Sequence, residues 1–343
     1  MTAAVILDRA RQVADEILFP SAMNVDAVDQ VPAWQLDALA SAGLYGLAGP
    51  QSAGGWDVDP ATLCDVIEIM SGGCLATTFV WLQHHSAVRA LASAQNSALR
   101  DQWLEPLCAG VQRAGIALGG ARPGPPLLRA RVAPGGHVFD GKAPWVTGWD
   151  MIDVVLALAR DETGNVIAAL LPAQASASLA VDRLDLVAVN ASRTVELTFA
   201  GHFVPAELVS SVMPHSDWAA RDAGGLRANG SLSLGVAGRC CQLIGQLAGS
   251  PGDAKRLRAS LVARRAALDA ADAGSMPAAR AAASALAFRA AGALVAAVGS
   301  QSILVGAHPQ RLAREALFLL VFGSRPAIKS HLTALLASGD LRN

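Results

Sequence analysis

The stretch GKAPWVTGW at 141–149 holds the side chains best suited to meet a flat ligand. Trp145 and Thr147 stand two residues apart, Gly148 follows directly, and Trp149 comes next. An aromatic ring and a hydroxyl at that spacing present a flat surface and a hydrogen-bonding group at a strand end. The competing reading makes Trp145 and Trp149 core aromatics of a small β domain, since single aromatics in strands usually pack. The other reactive side chains form no comparable group. His84 and His85 are adjacent, so on a helix they point about 100° apart and cannot share a metal with ordinary geometry. His202, His215 and His308 have no carboxylate or thiol at ligand spacing. The five cysteines (Cys64, Cys74, Cys108, Cys240, Cys241) make no CxxC pair, so no metal site is expected. They read as small buried hydrophobes in a reducing compartment, and a cytoplasmic location is expected.

The elements that must position Trp145 and Thr147 change character twice along the chain. Helical patterning runs through the first hundred or so residues. One helix is expected to close before Pro20, another spans 31–42 and stops at Gly43, and a third starts at Pro60 and runs to about residue 70. A Ser-Gly-Gly break at 71–73 leads into 75–94, and 96–108 forms a further helix. From about 113 to 209, Val, Thr, Gly and Pro replace Ala and Leu in short runs, which predicts strands at 128–133, 137–140, 154–159, 166–171 and 195–199. Asp140-Gly141 reads as a turn between two strands, and 161–164 as a hairpin turn. Beyond Pro205 the helical pattern returns, with a small-residue helix at 225–247, a half-exposed one at 254–271 and a largely apolar one at 277–299. Helices at 309–322 and 326–336 follow. The expected domains are 1–112 helical, 113–210 β and 211–343 a helical bundle.

Composition narrows the function classes. The 343 residues are 52% hydrophobic and only 16% charged, with 5% aromatic, so much of the apolar content is Ala. Such a surface is poor in charge, and burial between subunits is expected. A net charge of -1, from 27 basic and 28 acidic residues, gives no reason to expect a nucleic-acid partner. Residues 1–19 carry Asp8, Arg9, Arg11, Asp15 and Glu16, which is not the apolar core of a signal peptide. The stretch 281–299 invites a membrane span, but Arg289 sits at its midpoint, so a buried bundle helix is expected and no membrane span.

The order helices, β, helices, with GKAPWVTG in the middle, resembles the acyl-CoA dehydrogenase family. Three further pieces are similar: ASRTVELTFAGHFVPA at 191–206, NGSLSLGV at 229–236, and PQRLAREA at 309–316 with Phe322, Gly323 and Ser324. The resemblance implies an α+β, mostly α fold: an N-terminal helical domain, a middle β-barrel-like domain and a C-terminal four-helix bundle. It implies FAD as cofactor, an acyl-CoA or similar thioester as substrate, and a homo-oligomer or a hetero-oligomer with a related subunit. Residue by residue, Trp145 falls where the family covers the isoalloxazine ring, Thr147 where it hydrogen-bonds near the reactive nitrogen, and Gly148 beside them.

The departures from the family pattern concern the catalytic base. Its Glu commonly precedes the Gly of the terminal motif, where this chain has Phe322, which cannot accept a proton. The other family position lies near the start of the first C-terminal helix, which reads GGLR at 224–227, with Asp222 close by. The loop expected to meet flavin and thioester is GGARPGPP at 119–126, without Ser or Thr. No equivalent of the family's pyrophosphate-contacting motif stands in 249–260, and the adenosine-side contact at 299–306 reads GSQSILVG. Arg256, Arg258, Arg264 and Arg265 read as a solvated helix face, with coenzyme A phosphate as the alternative. Three functions remain open: an acyl-CoA dehydrogenase, a catalytically silent or half-competent subunit paired with an active relative, and a flavin monooxygenase of the same fold.

Overall fold

The computed structural model describes residues 2–248 and 251–338. The N-terminal helices are α1 (Ala3–Gln12), α2 (Phe19–Asp26), α3 (Ala33–Ser41), α4 (Pro60–Gly73), α5 (Leu75–Ala92) and α6 (Ser97–Ala109). Their ends follow local chemistry. Asp59 caps α4 by accepting the Thr62 N–H at 3.0 Å, with Pro60 in the first turn where no N–H is needed. Two expectations are corrected. Pro20 does not end a helix, because a π-helical turn over Val13–Leu18 leads into α2 and leaves Pro20 in its first turn. Nor do Ser71, Gly72 and Gly73 break the chain; α4 runs through them and the reversal comes at Cys74, which is extended.

Helix α7 (His215–Gly245) shows what the small residues are for. A Cβ on Gly235 would lie 2.0 Å from Ser71 Oγ and 2.1 Å from the Glu68 carbonyl, so only Gly lets α4 and α7 touch there. The bundle continues with α8 (Pro251–Ala270), α9 (Met276–Val298), α10 (His308–Val321) and α11 (Pro326–Ala337). Among the described residues only the span 276–303, which contains α9, is long and apolar enough by composition to cross a membrane. In this fold Ala281, Ala283, Ala287, Ala290 and Leu294 of α9 are buried in the protein, while Phe288 is exposed. The stretch 249–260, read as lacking a family motif, falls partly outside the described residues.

Between the helical parts lie β1 (Ala114–Ala117), β2 (Leu128–Ala133), β3 (Gly136–Val146), β4 (Val154–Arg160), β5 (Asn165–Pro172), β6 (Leu179–Arg183), β7 (Val195–Pro205) and β8 (Val209–Pro214). They form one sheet in the order β6-β7-β3-β2-β4-β5-β8, with β1 alongside β4. This corrects the expected barrel-like domain. The sheet is open, because β6 and β8 each end it with no ladder between them. Its two halves are joined only where β2 meets β4 at Arg129↔Arg160. Closure is unnecessary because both faces of β4 are covered. Val155, Ala157 and Ala159 pack with Phe139, Leu197 and Phe199 of the other half, while Val154, Leu156 and Leu158 pack with Val88, Leu91 and Leu107 of α5 and α6. The predicted turn at Asp140-Gly141 is also absent. β3 is continuous, and Gly141 (φ 115°) sits at an irregularity in its pairing with β7.

Candidate active site

The sheet has a second irregularity, and it aims Trp145. Ala143 pairs with Leu197 and Val146 with Val195, so β3 carries one residue more than β7 between those pairs. The extra residue bends the strand and turns a side chain out of register. Trp145 is the residue displaced: its φ is 64° and it is 53% exposed, whereas Trp149 is 5% exposed within the sheet core. The core-aromatic reading therefore holds for Trp149 and fails for Trp145. Thr147 is buried, its Oγ1 3.3 Å from that of Thr194, which lies 2.8 Å from Ser192 Oγ. Gly148 (φ 91°) donates its N–H to the Ser192 carbonyl at 2.9 Å. Among the described residues, Trp145, Asp150, Val189 and Arg193 are four of the five non-glycine residues with positive φ. Each costs on the order of 1 kcal/mol, and such costs persist where surrounding contacts over-determine the backbone.

Trp145 and Thr147 open onto a cavity of about 850 Å³. One face of α5 forms a wall, from Phe79 and Leu82 through Gln83 and Ser86 to Arg89. Leu156, Leu158 and Ala168 of the sheet form a second, and Trp218 to Asn229 of α7 a third. The α10–α11 connection, Phe322 to Arg325, closes the end near Phe79. Phe322 packs its ring on Phe79 (4.9 Å) and stacks on Phe318 (5.5 Å). Its carbonyl accepts from Arg280, a fully buried arginine with no acidic partner, whose other bonds go to Ser233 and Ser284. Burial pushes the Arg280 guanidinium down to about 10. Gly323 (φ 61°) turns the chain directly after Phe322.

The charged groups lining the cavity are unequal in number. Arg89, Arg122, Arg221 and Arg325 face a single carboxylate, Asp222, which forms an ion pair with Arg325. Arg122 is held below its ordinary basicity by burial first and by the neighbouring Arg325 second. Its Nε is buried without a partner. The 119–126 loop that carries it is fixed from behind by Arg160, which donates to the carbonyls of Gly120 (2.8 Å), Arg122 (2.6 Å) and Gly124 (3.0 Å). That loop crosses so close to β4 that a Cβ on Gly120 would come 2.5 Å from Ala159. The chain offers no sequence spacing that could have grouped Arg89, Arg122, Asp222 and Arg325, which come from four elements. The histidines stand elsewhere: His202 bonds Ser178, His215 the Ala121 carbonyl, and His308 stacks on Phe19.

The residues present fit a flat, hydrogen-bonding ring system of the flavin kind. Trp145 offers an open ring face, Leu186, Val187 and Ala188 an apolar edge, Thr147 and Thr194 hydroxyls. Beside Gly225 an added Cβ would meet nothing within 4 Å, which leaves room above that wall.

Fold and cavity together define a helical–sheet–helical chain with a cleft between the sheet, α5 and the C-terminal bundle. The chain is similar to the acyl-CoA dehydrogenases in its N-terminal domain and shares their fold. Residues 2–111 match the family model for the acyl-CoA dehydrogenase N-terminal domain. The mitochondrial short-chain specific acyl-CoA dehydrogenase of Bos taurus is 24% identical over 204 residues, covering 57% of this chain and 50% of that protein. The chain thus aligns with about half the length of such curated relatives. Likeness of fold extends further: butyryl-CoA dehydrogenase from Megasphaera elsdenii superposes with a TM-score of 0.84 at 16% identity, covering 98% of each chain. The FAD complex of PigA superposes with a TM-score of 0.80 at 18% identity, covering 99% of this chain and 98% of that one. These relatives overturn the expected cytoplasmic location, since the bovine protein and its human, rat and pig namesakes are mitochondrial.

Proposed function

We propose that this chain is an FAD-dependent oxidoreductase that oxidises an acyl thioester, with Trp145, Thr147 and Gly148 at its flavin site. The observation that carries the reading is the β3 bulge, which spends backbone strain to aim Trp145 into the cavity that Phe322 and Asp222 also line. A bound flavin supplies a two-electron acceptor for hydride. The chain's own work is to orient the thioester, exclude water and remove the proton α to the carbonyl. Phe79, Leu82, Phe318 and Phe322 provide the dry wall. Asp222, the one carboxylate lining the cavity, is the base this reading assigns, positioned by its pair with Arg325.

The protein purified with added FAD is expected to be yellow at near one flavin per chain and to bleach anaerobically with an acyl-CoA. A protein that takes up no flavin overturns the reading. Asp222→Asn should lower turnover by about 10²- to 10⁴-fold, the usual worth of a general base. Full turnover in that variant would place the base elsewhere.

A second reading is favoured by the aromatic cluster that fills the family's base position, Phe79, Phe318 and Phe322. In it the chain is a catalytically silent subunit that assembles with an active relative. Exposed Phe288, Ile303, Val305 and Val321 on the bundle supply apolar surface for either a homo-oligomer or a hetero-oligomer. A homomer with intrinsic turnover, found by co-purification from the native host, would remove this second reading.

A further inference from the structure

The face of α5 that lines the cavity changes chemistry along its length. Phe79, Leu82, Gln83, Ser86 and Arg89 follow one another at helical spacing. The first two are apolar, and Phe79 packs on Phe318 and Phe322 at the end of the cavity closed by the α10–α11 connection. Gln83, Ser86 and Arg89 are polar, and Ala90 and Ser93 continue the face past them with small side chains. Ten residues of α-helix rise about 15 Å, so Arg89 stands three turns from Phe79. A pocket built only for a hydrocarbon tail would continue in Leu, Ile or Phe, because polar groups against an alkyl chain lose their water without return. Arg89 also makes no ion pair or side-chain hydrogen bond with any described residue, whereas Asp222, the one carboxylate among the lining residues, is taken up by Arg325. The far part of this wall therefore carries an unused guanidinium, a group whose planar fork matches a carboxylate.

We propose that Arg89, with the Ser86 hydroxyl one turn before it, receives a carboxylate at the far end of the acyl chain. The substrate class is then an ω-carboxylated acyl thioester rather than a simple fatty acyl thioester. This rests on the thioester reading above and specifies it. Phe79 and Leu82 hold the methylene part, and Arg89 sets chain length by where its charge sits. The lone Asp222 lies on α7, across the cavity, and leaves the Arg89 end without an acidic competitor.

The test compares matched pairs of probes on the flavin-loaded protein: hexanoyl-CoA with adipoyl-CoA, and octanoyl-CoA with suberoyl-CoA. Kd is read from flavin absorbance and KM from turnover with an artificial electron acceptor. Wild type should favour the ω-carboxylated member of at least one pair by about 10- to 100-fold, the range of a charge-assisted hydrogen bond. Arg89→Met should abolish that preference and bind the unsubstituted member as well as before, while Arg89→Lys should restore part of it. Arg89 is exposed, so an unchanged Tm is expected in both variants. Equal binding of both members by wild type overturns the proposal, as does a loss of both alike in Arg89→Met, which would mark a structural role. If no thioester of either kind binds, the thioester reading itself falls and this one with it.

Discussion

At the scale of single residues, Trp145 and Phe322 carry the argument in opposite ways. Trp145 holds a left-handed backbone that costs a non-glycine residue on the order of 1 kcal/mol, yet its ring is half open to the cavity. Strain at an exposed ring is what the proposed flavin-site role of Trp145 would explain. Trp145→Gly relieves the strain and adds chain entropy to the unfolded state, two effects of similar size. Its stability in urea should therefore stay within about 1 kcal/mol of wild type while flavin affinity falls at least tenfold. A loss of stability with affinity intact would mark Trp145 as a packing residue. Phe322 instead gives up function for packing. Replacing it with Glu puts a carboxylate against Phe79 and Phe318, whose apolar rings raise its pKa toward the range of a working base. F322E should gain or increase dehydrogenation of an acyl-CoA with an artificial electron acceptor. F322A should only loosen the aromatic cluster, by about 2 kcal/mol for a partly buried ring. If F322E abolishes an activity that wild type already has, Phe322 lies elsewhere than beside the reacting carbon. The family resemblance singled out Trp145, but residue types and spacing alone could not separate it from Trp149, because the bulge that parts them lies in a pairing with β7, fifty residues away.

At the scale of elements, helices were more legible than the sheet. Pro60, Gly43 and the Pro at the start of α11 punctuate helices through local chemistry, so their ends can be read from neighbours in the chain. Asp140-Gly141 misled because a tight turn and an irregular strand need the same freedom at Gly. The openness of the sheet depends on what covers β4, and that is decided by α5 and α6. Arg280 shows an interaction hidden by distance: on α9, it holds the Phe322 carbonyl and so fixes the α10–α11 connection that closes the cavity. Removing it leaves that carbonyl, Ser233 and Ser284 short of a donor in the core. Arg280→Ala should cost about 3–5 kcal/mol in denaturant unfolding through the cavity and the orphaned acceptors. Arg280→Met fills the volume and discards a costly buried charge, so it should recover at least half of that loss. Its flavin-bound spectrum should still shift, because the connection is no longer pinned. An Arg280→Met protein as unstable as Arg280→Ala would show that the charge itself is needed.

For the whole molecule, two buried histidines and a half-buried one tie stability to pH. His84 Nδ1 accepts the Ala114 N–H at 3.1 Å, so Nε2 carries the proton and faces the Leu107 carbonyl at 3.1 Å. One neutral imidazole thus joins α5, α6 and β1, the junction of helical domain and sheet, and protonating it would break the bond to Ala114. Burial pushes His84 down to about 3 and His308 to about 4, and holds His85 well below its ordinary value. In the unfolded chain each returns to about 6.5. The folded pKa is the lower one, so between the two values the unfolded state binds more protons and stability falls as pH falls. The contribution is complete above about pH 7 and shrinks by up to about 1.4 kcal/mol per pH unit for each histidine on the way down. Even one such histidine matters against a total of about 5–15 kcal/mol for a typical fold. Thermal unfolding should therefore show Tm flat from pH 8 to 7 and falling steeply between pH 6 and 4.5. His84→Gln, whose amide can both donate and accept, should make that slope shallower while lowering Tm modestly at pH 7.5. A Tm that holds steady to pH 5 and drops only where carboxylates titrate would show that these imidazoles are protonated, or reached by water, in the folded protein.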